Sequence, residues 1–161
     1  MLAIAYTYAP VTGVTSVSPG RALVATAGVT LYTVESVKDV ALQDGPIRFV
    51  AVDGGMSDNL RPMLYDASYE ADLVDRVGAP GTPCTVVGKH CESGDVLIRE
   101  TALADPRPGD VLVMPVTGAY VYAMANNYNG VPRPPVVFCA GGRAREVVRR
   151  ETFEDLYARD V

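Results

Sequence analysis

Short apolar runs rich in β-branched residues recur along the chain, and each one ends at glycine, proline or a polar turn. These runs cover residues 28–40, 47–53, 85–91, 95–100, 110–117, 134–141 and 145–151. Segments rich in proline and glycine separate them, among them "APGTP" at 79–83 and "DPRPGD" at 105–110. Strands this short and evenly spaced, with no long helices between them, are typical of a β-sandwich or barrel and not of βαβ units. The sequence therefore predicts an all-β fold with short helices.

Two segments break this strand pattern. Residues 118–130 have alanines and tyrosines at helical spacing, which predicts a short helix. Residues 152–160 predict a C-terminal helix, in which Thr152 is the N-cap and Asp155 completes a capping box.

The composition limits the classes of function. A chain of 161 residues, 48% of them hydrophobic, forms one domain with a core and is expected to hide part of its surface against a partner. The formal net charge is −5 and the fourteen basic residues are dispersed, which argues against nucleic-acid binding. The apolar start has no basic region and contains Pro10 and Gly13, so we expect neither a signal peptide nor a membrane anchor. Three cysteines without a disulfide-like framework favour the cytoplasm.

The segment "GKHCESGD" at 88–95 holds the only histidine of the chain beside a cysteine. Adjacent residues of a strand point to opposite faces, so His90 is not expected to act as a base for Cys91. Cys84 and Cys91 are seven residues apart, and no C-x-x-C or H-x-x-x-H spacing is present, so no metal site is predicted. On this reasoning His90 is an ordinary structural residue.

Three further places could bind an anion. Arg61 and Tyr65 are four residues apart, so on one helical turn both could reach the same anionic group. Gly20 and Arg21 follow a proline in a predicted tight turn, where free backbone N–H groups can bind phosphate. Tyr120 follows a Gly-Ala pair. Taken singly, each also fits a structural role: a cation beside a ring, a common turn, or a tyrosine at the rim of a packed helix.

Four segments in a fixed order carry a family resemblance: "VDGGMSDNLRPMLYDASY", "VVGKHCESGD", "TGAYVYAMANNYNGVPRPPVV" and "RRETFEDL". With them the chain resembles the C-terminal β-domain of the diaminopimelate decarboxylases, fold-type III pyridoxal-phosphate enzymes related to the ornithine and arginine decarboxylases. The resemblance runs from about Ser18 to Asp160. It makes residues 18–161 the β-domain and leaves residues 1–17 as a separate N-terminal strand and turn.

The resemblance implies a homodimer in which a (β/α)8 barrel holds pyridoxal phosphate and the β-domain completes the neighbour's active site. The implied reaction, part of lysine biosynthesis, converts meso-diaminopimelate to L-lysine and carbon dioxide. Cys91 matches the cysteine that returns a proton after decarboxylation, and a thiol suits this role because it is protonated at neutral pH yet gives up its proton readily. Glu92 matches the residue that receives the distal ammonium group of the substrate. Ornithine-type relatives carry Cys-Asp where this chain has Cys-Glu.

The same resemblance assigns roles to the anion-binding candidates. Arg21, Arg61 and Tyr65 match residues that bind the distal carboxylate, which an arginine can hold with two hydrogen bonds. Tyr120 matches a tyrosine that contacts both cofactor and substrate, and the Gly20–Arg21 pair matches part of the phosphate-binding turn.

Two departures from the family pattern affect these expectations. Ser18 stands where the family usually has glutamate before Pro-Gly-Arg. The lysine that binds the cofactor covalently lies in the family's barrel, and neither Lys38 nor Lys89 matches it. We therefore expect the isolated chain to be inactive. Two alternatives stay open: a decarboxylase domain for another amino acid, of the ornithine or arginine type, and a catalytically silent dimerisation or regulatory domain.

Overall fold

The structure is a computed structural model that describes residues 2–4, 20–42 and 45–161. Within these ranges the chain forms nine strands, three α-helices of four or five residues, and four single turns of 3-10 helix. The strands are β1 (Leu2–Ile4), β2 (Gly28–Leu42), β3 (Gly45–Val52), β4 (Asp72–Leu73), β5 (Thr82–Val87), β6 (Val96–Leu103), β7 (Val111–Pro115), β8 (Val136–Ala140) and β9 (Arg143–Val148). The helices are α1 (Gly20–Val24), α2 (Arg61–Tyr65) and α3 (Phe153–Leu156), and the 3-10 turns are Ala25–Ala27, Val74–Arg76, Tyr122–Met124 and Tyr128–Gly130.

The long strand β2 connects the two halves of the sheet. Its first residues pair with β1 on one side and β7 on the other, and its second half pairs with β3. The register shifts between Val34 and Ser36, where β2 passes from one half to the other, and an irregularity of this kind bends a strand. The strand order is β6-β5-β3-β2-β1-β8-β9; β7 pairs with the first part of β2, and β4 pairs with β7. The result is a curled, mainly antiparallel sheet.

Alternating apolar residues of the strands form the main core. Val50 and Val52 of β3 are buried, as are Cys84 and Val86 of β5, because side chains two apart in a strand share a face. The other members of the cluster are Tyr32, Val34, Tyr69, Leu73, Leu97, Ile98, Leu103, Leu112 and Met114. The sequence-based prediction of an all-β fold with short helices is thus confirmed.

Two local predictions near the candidate residues were wrong. The strand predicted over 85–91 ends at Val87, so His90 and Cys91 lie in a bend and the argument from opposite strand faces does not apply to them. No α-helix forms over 118–130, because Tyr120 and Asn129 have left-handed backbone φ angles of 58° and 55°. Left-handed residues interrupt a right-handed helix.

The predictions for the C-terminal helix and for the N-terminal part of the chain are only partly confirmed. The C-terminal helix is shorter than predicted, but its capping box is present: Thr152 Oγ1 accepts from the Asp155 N–H, and the Asp155 carboxylate accepts from the Thr152 N–H. Gly20 and Arg21 open helix α1 and do not form a tight turn. Of the predicted N-terminal segment 1–17, residue 1 and residues 5–17 lie outside the described residues. Among the helices that the structure describes, none is long or apolar enough to cross a bilayer.

Candidate active-site residues

Helix α2 presents the first pair of candidate residues. The segment before it, from Gly54 to Asn59, is buried, and the Asn59 side chain accepts from the Arg61 N–H at 3.4 Å. Proline at the second position of the helix has a φ angle suited to a first turn. Arg61 and Tyr65 lie on one helical turn, as predicted, with the guanidinium carbon 5.5 Å from the centre of the Tyr65 ring.

The Arg61 guanidinium has an environment that is unusual for a structural arginine. It lies 6.0 Å from the Tyr120 ring as well, so two aromatic rings flank one cation. Its Nε is buried without a hydrogen-bond partner. Among the described residues no carboxylate forms an ion pair with Arg61. Because burying an unpaired donor costs free energy, this group is suited to accept an anion from outside the chain.

Tyr120 is held at this place by a close backbone contact. A methyl group on Gly118 would lie 2.0 Å from the carbonyl oxygen of Val24, so only glycine allows the segment after β7 to pack against the end of α1. Two residues later Tyr120 adopts φ 58° and leaves its ring about half exposed. Its hydroxyl lies near Gly20, where an added methyl group would be 3.8 Å away. The structure therefore brings Gly20, Tyr120, Arg61 and Tyr65 together.

Arg21 follows Gly20 in helix α1. It is exposed and lines an open cavity of about 330 Å³ together with Ser68, Tyr69, Glu70, Pro115 and Val116. Among the described residues it forms no ion pair.

Cys91 and Glu92 lie in the loop between β5 and β6, and both are exposed. Glu92 accepts hydrogen bonds from Ser93 Oγ and the Gly94 N–H at 3.3 Å, and from the Tyr128 hydroxyl at 3.5 Å. The loop packs beside helix α2, because a methyl group on Gly94 would lie 3.8 Å from the Met63 side chain. Helix α2 thus contributes Arg61 and Tyr65 to one set of candidates and contacts the loop that carries the other.

His90 has more contacts than the sequence suggested. Its Nε2 lies 2.9 Å from Ser57 Oγ, and its ring meets the Tyr128 ring edge-on at a centroid distance of 5.5 Å. Sequence reasoning also missed a buried acid, Asp58, which follows Ser57 in the chain. Its carboxylate accepts from the Tyr32 hydroxyl at 2.5 Å. Burial raises the pKa of Asp58 to about 6, against the opposing effect of the hydrogen bond from Tyr32. In the sequence, only the Gly-Gly pair at 54–55 indicates that the segment around Asp58 is closely packed. In the described residues no three potential ligands cluster to bind a metal.

Comparison with known proteins identifies the family. Residues 5–118 match the family model of the pyridoxal-dependent decarboxylase C-terminal sheet domain. Since this match covers more than half of the chain, the protein belongs to that family.

Two of the similar proteins are both named diaminopimelate decarboxylase. The chain is 57% identical over 147 residues to a diaminopimelate decarboxylase of Actinosynnema pretiosum subsp. auranticum and 52% identical over 146 residues to that of Bacillus subtilis (strain 168), which covers 91% and 90% of the chain. It spans only 32% and 33% of those two relatives.

Solved structures agree with this family. A diaminopimelate decarboxylase from m. jannaschii in complex with L-lysine superposes with a TM-score of 0.80 at 36% identity, over 88% of this chain and 31% of the other. The Helicobacter pylori enzyme complexed with L-lysine gives a TM-score of 0.75 at 34% identity, over 86% of this chain and 33% of the other.

Proposed function

We propose that this chain is the sheet domain of a diaminopimelate decarboxylase, the enzyme class that converts meso-diaminopimelate to L-lysine and carbon dioxide. The observation that carries the proposal is Arg61, whose guanidinium lies between two tyrosines with a buried Nε and no acidic partner among the described residues. A ligand carboxylate can form the bidentate pair with this arginine that the protein leaves unmade. The two solved relatives that contain L-lysine support the same substrate class, since L-lysine is the product of the proposed reaction.

The preference for diaminopimelate follows from the charges available. The distal end of this substrate has both a carboxylate and an ammonium group. Arg61 and Tyr65 offer a cation and a phenol for the carboxylate, and Glu92 offers an exposed anion for the ammonium. Substrates of the ornithine and arginine type have no distal carboxylate. They would leave the Arg61 charge uncompensated, which penalises their binding.

Cys91 is proposed as the proton donor. Its thiol is exposed and forms no hydrogen bond with another described residue, so it is available to a docked partner. After loss of carbon dioxide a proton must return to the α-carbon of the substrate, and a protonated thiol within reach of that carbon supplies it. Since Cys91 and Arg61 lie in two separate sets, they need not serve the same active site: Cys91 is proposed to act in that of a neighbouring subunit.

The described residues fit part of a pyridoxal-phosphate site. Gly20 and the Tyr120 hydroxyl lie side by side and leave an open surface, on which the phenol can donate a hydrogen bond and Arg21 can add positive charge. When bound, pyridoxal phosphate supplies an electron sink for the decarboxylated carbon. Lys38 is exposed on β2, and Lys89 is exposed after β5. We propose that the lysine which holds the cofactor belongs to a barrel domain.

The proposed partners are that barrel and a second copy of the chain. Apolar side chains of helices α1 and α2 and of the segment after β7 are 39–59% exposed, and a covering domain would bury them. They are Leu23, Met63, Leu64, Tyr65, Val116 and Tyr120. All three cysteines are free, which fits the proposed cytoplasmic location.

The proposal is tested in an assembly of this chain with a barrel-containing decarboxylase polypeptide. Carbon dioxide release from meso-diaminopimelate is measured for the unchanged chain, Cys91→Ala and the control Cys139→Ala, which removes the other exposed cysteine. We expect Cys91→Ala to lower kcat by about 10²- to 10⁴-fold and the control to have no effect. Unchanged turnover in Cys91→Ala would instead support a silent dimerisation domain.

Substrate choice is tested in the same assembly. The unchanged chain should prefer diaminopimelate over ornithine and arginine, and Arg61→Gln should remove that preference by raising the KM for diaminopimelate. Faster turnover of ornithine or arginine by the unchanged chain would contradict the assignment and favour the ornithine-type alternative.

A further inference from the structure

Asp95 is a buried carboxylate at the end of the Cys91 loop, and only 3% of its surface is exposed. Its two oxygens bind two different segments. Oδ1 accepts from the Met56 N–H at 2.6 Å, and Oδ2 accepts from the His90 N–H at 2.8 Å. One side chain therefore connects the segment that leads into helix α2 with the residue immediately before Cys91.

Main-chain hydrogen bonds close the same loop around this carboxylate. The Gly88 N–H donates to the Asp95 carbonyl at 2.8 Å, and the Asp95 N–H donates to the Glu92 carbonyl at 3.1 Å. The Lys89 N–H donates to the Gly54 carbonyl at 2.9 Å, which fixes the start of the loop to the turn after β3. The loop that carries Cys91 and Glu92 is thus tied at its start, its middle and its end.

Two glycines make room for the carboxylate. An added methyl group would lie 2.1 Å from Asp95 Oδ2 at Gly88 and 2.6 Å from the same atom at Gly55. Contacts this short are not tolerated, so these two positions accommodate Asp95 only as glycine. Among the described residues no cation pairs with Asp95, and the buried charge is satisfied by backbone N–H groups, which form strong charge-assisted bonds with a carboxylate.

We infer that Asp95 is a positioning residue: its carboxylate sets the place of the loop that carries Cys91 and Glu92 relative to helix α2. Asp95 does not touch the reacting atoms and acts through the backbone of His90 and Met56. The inference rests on the proposed function only for what Cys91 and Glu92 do, because the positioning itself is a property of this chain.

The native cysteines allow a direct test on the 161-residue chain. Cys91 and Cys139 are exposed and Cys84 is buried, so spin labelling gives one labelled pair without added cysteines. Pulsed electron paramagnetic resonance then measures the distribution of distances between the labels. We expect a narrow distribution for the unchanged chain, a broader one for Asp95→Asn and the broadest for Asp95→Ala, because asparagine keeps one acceptor oxygen and alanine keeps none.

Amide hydrogen exchange provides the second measurement. The N–H groups of Met56 and His90 should exchange roughly tenfold faster or more in Asp95→Ala, since each loses a charge-assisted hydrogen bond. Gly88→Ala should have the same effects on labels and amides, because its methyl group displaces the carboxylate without changing it. If Asp95→Ala does not fold, Asp95→Asn and Gly88→Ala answer the question.

Asp58→Asn is the matched control. Asp58 is also buried, 7% exposed, but its carboxylate accepts from the Gly55 N–H and the Tyr32 hydroxyl and, among the described residues, makes no hydrogen bond to the Cys91 loop. This variant should leave the label distribution and the His90 amide unchanged. The inference is overturned if the Asp95 variants keep the narrow distribution, or if Asp58→Asn broadens it equally. Failure of the proposed function is a different result, namely unchanged turnover in Cys91→Ala.

Discussion

Asp58 should make the protein less stable as the pH rises through the weakly acidic range. Its carboxyl is buried beside Tyr32, and burial raises its pKa from 3.8 to about 6. Between these two values the folded protein binds more protons than the unfolded chain, so the free energy of unfolding falls with increasing pH. A difference of about two pH units corresponds to about 3 kcal/mol, and the cost is fully present above a pH of about 6.

The change Asp58→Asn removes this titration and nearly preserves the shape of the side chain. Urea unfolding of both proteins at several pH values between about 4 and 7 gives the difference in their free energies of unfolding. We expect the variant to gain on the unchanged protein by up to about 3 kcal/mol as the pH rises from about 4 to 6, with no further gain above. Any constant cost of the amide cancels in this slope, and all other titrating groups are present in both proteins. A flat difference, or one that falls with pH, would refute the argument that burial dominates at Asp58.

Two further predictions concern the stability of the sheet and of its C-terminal segment. The hydrogen bond from Arg133 lowers the pKa of the Glu151 carboxyl from 4.5 to about 2. The ionised carboxylate therefore stabilises the folded protein fully above pH 4.5, and this stabilisation is lost as the pH falls towards 2. Glu151→Gln should therefore have a lower free energy of unfolding than the unchanged protein at neutral pH, and the difference should disappear in acid. Urea unfolding of both proteins at neutral and at acidic pH measures this difference. Met114→Ala should lower the free energy of unfolding by about 2–5 kcal/mol, because the side chain is fully buried in the main core and its truncation leaves a cavity; a thermal unfolding temperature that does not change would contradict this.

The strand pattern could be predicted because it depends on local alternation. Residues such as Val50 and Val52 alternate with less buried neighbours, and glycine and proline mark the ends of the runs. The same logic extended the strand at 85–91 too far. The run of β-branched residues ends at Val87, and at Gly88 the backbone leaves the sheet and packs against the Asp95 carboxylate. That carboxylate is close in space, and residue propensities do not report such a contact.

The candidate site was only partly accessible to sequence reasoning. The i, i+4 spacing of Arg61 and Tyr65 correctly placed them on one helical turn, since that relation is local. The left-handed conformation of Tyr120 was not accessible, because it lies in a segment whose path depends on packing against the distant helix α1 through Gly118. Asp95 was equally hidden: aspartates are rarely buried, and only its backbone N–H partners in two segments explain why this one is.

Asp95 has a buried carboxylate and Arg61 a guanidinium whose Nε is buried, yet among the described residues these opposite charges do not pair with each other. Removing two charges from water is costly, and pairing them offsets part of that cost. Here the Asp95 carboxylate accepts hydrogen bonds from N–H groups of its own chain, and these bonds hold the Cys91 loop in place. Among the described residues, the rings of Tyr65 and Tyr120 flank Arg61, and they attract a cation weakly and cannot neutralise it. The carboxylate of Asp95 therefore stabilises the fold of this chain, whereas the guanidinium of Arg61 is left to bind an anion from outside the chain.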